Sequence, residues 1–403
     1  MSTASLFFML AVTVPAAAAA EGVTFQRIVL ADVFHAEAAA IGDIDRDGKP
    51  DAVYGPFWYA GPDFTARHPI YPATEFDPIK YSDNFMTVVA DVDADGWADV
   101  LVNEFPGKPV HWFRNPRQDG LATDATWAKH LAYPNVDNES PDVLDITGDG
   151  RPEILFHTGG VLGFAEPGPN PATDRWIFRP CSEREKIGGF THGLGAGDVD
   201  GDGRKDLLMA SGWWRQPADG SGPWQKHPAT FGTKGGAQMH VFDVDGDGDG
   251  DVVTSLAAHG YGLSWFEQVR RDDAIEFVEH AILPANGKES LAGVQFSQLH
   301  AVAVADIDGD GLQDIVTGKR YWAHGPQGDP DPGGTPVVYW FRLVRMPAAG
   351  GGPAAVSWEP HLIDDASGVG TQIAVGDLNA DGRTDVVVGN KRGGFVFLQR
   401  HAP

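Results

Sequence analysis

Seven copies of one acidic loop, each with a glycine at its sixth position, recur along the 403-residue chain, and this repeat limits the folds open to it. The first loop runs Asp43-Ile44-Asp45-Arg46-Asp47-Gly48 and closes on Asp51. The second supplies Asp91, Asp93, Asp95 and Asp99, and the fourth Asp198, Asp200, Asp202 and Asp206. The fifth has Asp243, Asp245, Asp247 and Asp251, and the sixth Asp306, Asp308, Asp310 and Asp314. These five read D-x-D-x-D-G-x-x-D. The third loop departs from the pattern with Asp145, Thr147, Asp149 and Glu153, and the seventh with Asp377, Asn379, Asp381 and Asp385. Carboxylates at alternate residues can converge on one hard cation, and the glycine allows the sharp turn between them. The expectation is up to seven structural Ca2+ sites, weaker in the third and seventh loops, each tying the strand before it to the strand after it.

The charge follows from the loops. The formal net charge is -26, from 30 basic and 56 acidic residues; the loops hold 27 of the acids, leaving 29 against 30 bases. The acidity is thus concentrated in the candidate cation sites, and no basic stripe suits nucleic acid. Residues 1–20 are apolar and end in Ala18-Ala19-Ala20, which reads as a signal peptide, although no Lys or Arg stands in its n-region. No later stretch has the roughly 20 apolar residues of a membrane span. A secreted or periplasmic location follows, with millimolar calcium outside cells able to fill weak oxygen-ligand loops. Cys181 is the only cysteine, so no internal disulfide is available.

The flanks of each loop alternate as strands do, as in Ala301-Val302-Ala303-Val304-Ala305 before the sixth loop and Ile315-Val316-Thr317 after it. An EF-hand would need helices there, and it is rejected. An aromatic strand follows each loop, for example His111-Trp112-Phe113 and Tyr339-Trp340-Phe341. A third element, in four of six copies aromatic-x-x-His, starts at Phe64, Trp127, Trp176, Trp224, Phe277 and Trp358. One copy is missing, and Phe25–Leu30 at the N-terminus supplies a spare strand. The unit is therefore inner strand A, acidic loop, strand B, aromatic strand C and outer strand D. Seven such units predict an all-β, seven-bladed β-propeller of four-stranded blades over residues 21–403, the ring closed by the N-terminal strand completing blade 7. Loop starts lie 48, 54, 53, 45, 63 and 71 residues apart, with the longest insertion in blade 6, around residues 325–336.

These loops between short strands resemble FG-GAP or VCBS repeats, as in integrin α-subunit propellers. A narrower resemblance, carried by Thr191–Asp198, Ser297–His300 and Thr317–Pro326, is to secreted planctomycete-type propellers. More loosely, the chain is similar to the propeller part of aldos-2-ulose dehydratase, whose further domains it lacks. The first resemblance implies a calcium-binding propeller; the last implies elimination chemistry on an oxidised sugar.

Antiparallel strands put the acidic loops on one face of the ring and the B–C and D–A connections on the other, where a functional mouth is expected. The residue six before each loop's first acid is Glu37, Phe85, Glu139, His192, Ala237, His300 or Thr371. Two imidazoles and two carboxylates thus share one register on the channel-lining strands, a set that suits a transition metal such as Zn2+. Glu37, His192 and His300 are the candidate ligands, with Glu139 as an alternative ligand or base. His35 and Asp83 lie two residues further up; His240 has the wrong parity. The B–C turns add Trp58, Glu104, His157, Trp213, His259, Lys319, Arg320, His324 and Lys391, and the D–A turns Lys234, Lys288, Gln295 and Gln298. Aromatics beside charged groups suit a sugar or glycan. The candidate catalytic groups are His35, Glu139, Lys319 and His324, for a metal-dependent lyase or dehydratase. The alternative is a non-catalytic glycan- or protein-binding propeller. The outer-strand histidines His68, His130, His227, His280 and His361 recur at one position, which points to packing or exposed edge chemistry.

Overall fold

The computed structural model describes residues 22–401 apart from 221, 233, 273, 289–292 and 347–353; the expected signal segment lies outside the described residues. Among the described residues the one helix is the short Arg117–Leu121, and all other regular structure is strand. The architecture is all-β and propeller-like. Strands follow one another in antiparallel groups, A to D, as in Ala39–Gly42, Asp51–Tyr54, Phe57–Tyr59 and Arg67–Pro69.

Among the described residues these groups gather into five sheets, three of four strands and two larger. One larger sheet arises because the outer strand of the second unit and the inner strand of the third are a single strand, Ala128–Leu144. Its first half pairs with Lys108–Arg114 and its second half with Glu153–Thr158. The other larger sheet joins two units through a parallel bridge, Leu194 opposite Gln238 and Gly195 opposite Met239. The N-terminal strand Val23–Ala31 pairs antiparallel with the last strand, Gly393–His401, from Val23 opposite His401 onwards. The inner strand Ile373–Gly376 lies beside the first inner strand, Ala39–Gly42. Thr371 N–H donates to the Glu37 carbonyl there at 2.8 Å.

Apolar residues between neighbouring units form the core. Val253, Trp265, Ile315 and Phe341 join the fifth and sixth units, and Tyr54, Tyr59, Val387 and Val396 join the first and last. The recurrent histidines have a packing role. Each stacks on a C-strand tryptophan, as in Trp58–His68 (4.4 Å), Trp112–His130 (4.7 Å), Trp213–His227 (4.2 Å), Trp265–His280 (4.4 Å) and Trp340–His361 (4.5 Å between ring centroids). Flat faces at this separation add to the area each pair buries.

The acidic loops have a shared internal logic. The glycine at the sixth position has φ between 81° and 93° in every copy, a conformation that side chains with a Cβ rarely adopt. The second residue is always apolar and buried: Ile44, Val92, Ile146, Val199, Val244, Ile307 and Leu378. The last acid opens strand B. In the six loops that end on aspartate, this carboxylate bridges two backbone segments. In the sixth loop, Oδ2 of Asp314 accepts from Ile307 N–H at 3.0 Å and Oδ1 from Leu343 N–H at 2.9 Å. Asp51, Asp99, Asp206, Asp251 and Asp385 repeat the pattern. Each of these six loops is thereby fastened to strand C or to the residues just after it before any cation is considered, whereas Glu153 of the third loop bonds only Ile146 and Thr147 within its own loop.

Candidate functional site

Three inner strands and one turn bring four donors together away from the acidic loops. Glu139 lies in the inner half of Ala128–Leu144, and its N–H donates to the Thr191 carbonyl at 2.8 Å. His192 precedes the inner strand Leu194–Gly197, and His300 precedes Val302–Ala305. His259 comes from the B–C turn after Asp251–Ser255. Glu139 Oε2 lies 3.3 Å from His192 Nε2, 3.2 Å from His300 Nε2 and 3.9 Å from His259 Nε2. The His192 and His259 Nε2 atoms are 2.9 Å apart. One atom from each residue falls within 4.8 Å of the others, a spacing that could hold a metal ion. Two residues beside the ligands sit at positive φ, Asn138 at 87° and Gln298 at 61°, strain that the surrounding hydrogen bonds hold in place.

The electrostatics match this geometry. Burial alone would raise the Glu139 carboxyl, but hydrogen bonds from His192 and His300 outweigh it and hold the group far below the usual carboxylate range. Burial, reinforced by the Arg320 guanidinium, pushes His300 down to about 3. Burial and the neighbouring imidazoles push His259 down further. A neutral His259 and a neutral His300 beside an ionised Glu139 are the charge states in which such groups bind metals. The Nδ1 atoms of His259 and His300 are buried without a hydrogen-bond partner.

Three of the donors open into a cavity of about 400 Å³ lined by Tyr81, Phe105, Glu139, Phe190, His192, His259 and His324, and His300 is fully buried outside that lining. Its rim is aromatic: Tyr81 and Phe105 are 5.0 Å apart, Phe105 and Phe190 5.5 Å, and Phe190 is 58% exposed. His324 presents its ring 4.5 Å from that of His259 and pairs through Nδ1 with Asp329 Oδ1 at 2.7 Å.

The register used above brings Glu139, His192 and His300 together but does not make Glu37 a fourth ligand. Glu37 is fully buried in a separate ion pair: Arg320 Nη2 donates to its Oε2 at 2.9 Å, and Lys391 Nζ lies 3.9 Å from its Oε1. Arg320 reaches back to Glu139, its Nη1 4.0 Å from Oε2, and so links the pair to the cluster. The fourth donor, His259, lies on a turn, where strand alternation gives no phase; its place among the mouth residues was the only sequence signal. His35 lies outside the cluster, with Nδ1 2.7 Å from the Thr74 carbonyl oxygen. Lys319 is buried and donates to Ser297 Oγ at 2.6 Å, holding the 325–336 segment rather than lining the cavity. Trp58 and Trp213 are buried in their histidine stacks, Glu104 pairs with His111 at 2.9 Å, and His157 bonds Thr191 Oγ1. Cys181 is buried, and burial pushes its thiol well above the ordinary range, which suits an inert core residue.

On the opposite face, the loop acids form oxygen-only clusters such as Asp43, Asp45 and Asp51, and Asp91, Asp93 and Asp99. Asp43 Oδ1 and Asp93 Oδ1 are buried without a hydrogen-bond partner, so the loops keep unused acceptor capacity of the kind a calcium ion takes up. Burial pushes Asp51, Asp99, Asp206, Asp251 and Asp314 up to about 7 and Asp385 up to about 6. Three loops carry an internal cation from one position of strand C. Arg114 lies 2.6 Å from Asp93 and 3.2 Å from Asp95, Arg342 lies 2.6 Å from Asp308 and 3.2 Å from Asp310, and Arg215 pairs with Asp200 and Asp202.

Comparison with known proteins agrees with this repeat. The FG-GAP-like repeat model matches residues 91–156 and 198–254, and the FG-GAP repeat model matches 299–336 and 369–399. A search of curated proteins finds no match. Similar solved structures include an Agrocybe aegerita lectin that recognises non-reducing terminal N-acetylglucosamine, 17% identical, with 94% of this chain and 86% of that chain covered and a TM-score of 0.48. Rhamnogalacturonan lyase YesW is 16% identical over 89% of this chain and 71% of that one, with a TM-score of 0.44. BBS1N, solved in complex with ARL6DN, is 9% identical over 95% and 98%, with a TM-score of 0.49.

Proposed function

Because the chain belongs to the FG-GAP repeat family, we propose that it is a secreted, calcium-stabilised propeller of seven blades, closed by its N-terminal strand, that binds a transition metal such as zinc through Glu139, His192, His259 and His300. The observation that carries this reading is the convergence of three imidazole Nε2 atoms and one carboxylate oxygen at one point of the cavity wall. Mixed nitrogen and oxygen donors suit zinc, whereas the oxygen-only loops suit calcium. Calcium fills first the loops that lack a strand-C arginine.

The ligand is an oxidised sugar, and the reaction a β-elimination of the lyase or dehydratase type. The resemblance to aldos-2-ulose dehydratase motivates the chemistry, and the residues supply its parts. A bound divalent ion would polarise a carbonyl or hydroxyl oxygen of the ligand. Arg320 already shares the charge of Glu139 and Glu37, so the site has little negative charge left to neutralise an ion, which favours a ligand oxygen that becomes anionic. His324, half-exposed at the cavity, stands where it can exchange a proton with the ligand.

A second reading, a glycan-binding propeller without turnover, is favoured by one observation. The rim of Tyr81, Phe105 and Phe190 offers ring faces for a sugar whether or not chemistry follows. Elemental analysis of the full chain after mild calcium chelation separates the two. One tightly held transition metal per chain, lost in His192→Ala/His300→Ala with thermal stability nearly intact, supports the metal centre. Calcium alone in the parent protein, or collapse of the double variant's stability, sinks it.

A further inference from the structure

We infer that Asp329 is a positioning residue that locks His324 in one tautomer, with Nε2 as a hydrogen-bond acceptor turned to the cavity and ready for a ligand hydroxyl; this rests on the metal-centred reading of that cavity. Asp329 lies in the sixth-unit insertion, and its side chain is 4% exposed. Its Oδ1 is 2.7 Å from His324 Nδ1, and its Oδ2 accepts from His324 N–H at 2.8 Å. An ionised carboxylate only accepts hydrogen bonds, so Nδ1 must carry the proton, and the neutral ring then has its lone pair on Nε2. The same Oδ1 lies 3.7 Å from Nδ1 of His259, so one carboxylate stands behind both a metal-ligand candidate and its neighbour.

The carboxylate is itself held. The next residue, Pro330, accepts from Ser297 Oγ at 2.7 Å through its carbonyl, and Ser297 Oγ accepts from buried Lys319 Nζ at 2.6 Å. Lys319 Nζ also lies 3.8 Å from Asp331. A short insertion is therefore pinned at three successive residues, which gives Asp329 the fixed geometry that orienting another side chain requires. A hydroxyl-bearing ligand held at the cluster would find a pre-set acceptor in His324, whereas a ligand without a donor there would leave Nε2 unpaired.

Long-range nitrogen–proton NMR on the full, zinc- and calcium-loaded chain with labelled histidine reads this directly. In the parent protein His324 should show a protonated Nδ1 and an unprotonated Nε2. Asp329→Ala should lose that preference, and Asp329→Glu should restore it. A protonated Nε2 in the parent, or an unchanged pattern in Asp329→Ala, overturns the inference, and the parent spectrum alone decides if the variant does not fold. Absence of bound zinc in the parent would instead count against the metal reading, which the tautomer measurement leaves separate.

Discussion

Removing one charge from the buried Glu37–Arg320–Lys391 group should cost several kcal/mol and leave zinc binding at the proposed Glu139 cluster unchanged. Glu37 and Arg320 are both 0% exposed. Their closest atoms are 2.9 Å apart, and Lys391 lies 3.9 Å from the other carboxylate oxygen. At an effective dielectric of ~20, unit charges at these separations attract by about 6 and about 4 kcal/mol. Glu37→Gln keeps the shape and an acceptor but leaves Lys391 without its carboxylate and Arg320 with only the more distant Glu139, 4.0 Å away. Part of the loss returns, because the amide dipole still faces Arg320. Burial also already lowers Lys391 below the usual lysine range, so it can shed its proton. The net destabilisation should be about 3–5 kcal/mol, as for other buried pairs broken on one side. Equilibrium urea unfolding at fixed calcium and zinc measures it. Arg320→Met should cost a similar amount, and the double variant should cost at least ~2 kcal/mol less than the sum of the two. A Glu37→Gln protein within ~1 kcal/mol of the parent, or strict additivity of the pair, would refute the argument. Loss of zinc from Glu37→Gln would refute the separation of this ion pair from the cluster.

Two further predictions concern the acidic loops. Asp314→Asn replaces one of two backbone acceptors with an NH2 group that must face an N–H, so the variant should lose about 1–3 kcal/mol even in saturating calcium; an unchanged urea midpoint would contradict the bridging role. In the calcium-free protein, the closing aspartates have folded pKa values of about 7 or about 6, above the ordinary 3.8, so the folded chain binds the extra protons. Their contribution is full below pH ~4 and is lost as pH rises through ~7, so the melting temperature after chelation should fall from pH 5 to pH 8. Saturating calcium should flatten or reverse that slope, and a chelated protein that melts higher at pH 8 than at pH 5 would rule it out.

Much of this molecule was legible in its sequence because two periods are written into it. The loop repeat placed strands A and B, and the six-residue offset on strand A placed Glu139, His192 and His300 together. The same offset misassigned Glu37, because strand phase says which way a side chain points and not which partner meets it. Two cations, Arg320 and Lys391, arrive from turns, and electrostatics takes the carboxylate from the cluster. His259 was hidden for the same reason: turns have no period to count. The aromatic-x-x-His recurrence signalled packing but not the stack on tryptophan, since its partner lies on the neighbouring strand. The fusion of two expected strands into Ala128–Leu144 was also hidden, because residues 133–140, with Pro134 and a polar run from Asp137 to Ser140, show no apolar alternation and the repeat called for a break there. The closing aspartates looked like plain cation ligands; their second role, joining two backbone segments, depends on strand C, about ten or more residues further on.

The pairing of Val23–Ala31 with Gly393–His401 sets the order in which the chain can be finished. The outermost strand of the last sheet is the first to be synthesised, and its partner comes about 360 residues later. At about 5–20 residues per second, that opening strand waits roughly 20–70 s with its backbone edge unpaired. Units in the middle can settle as they emerge, but this sheet has to wait until Gly393–His401 has emerged as well.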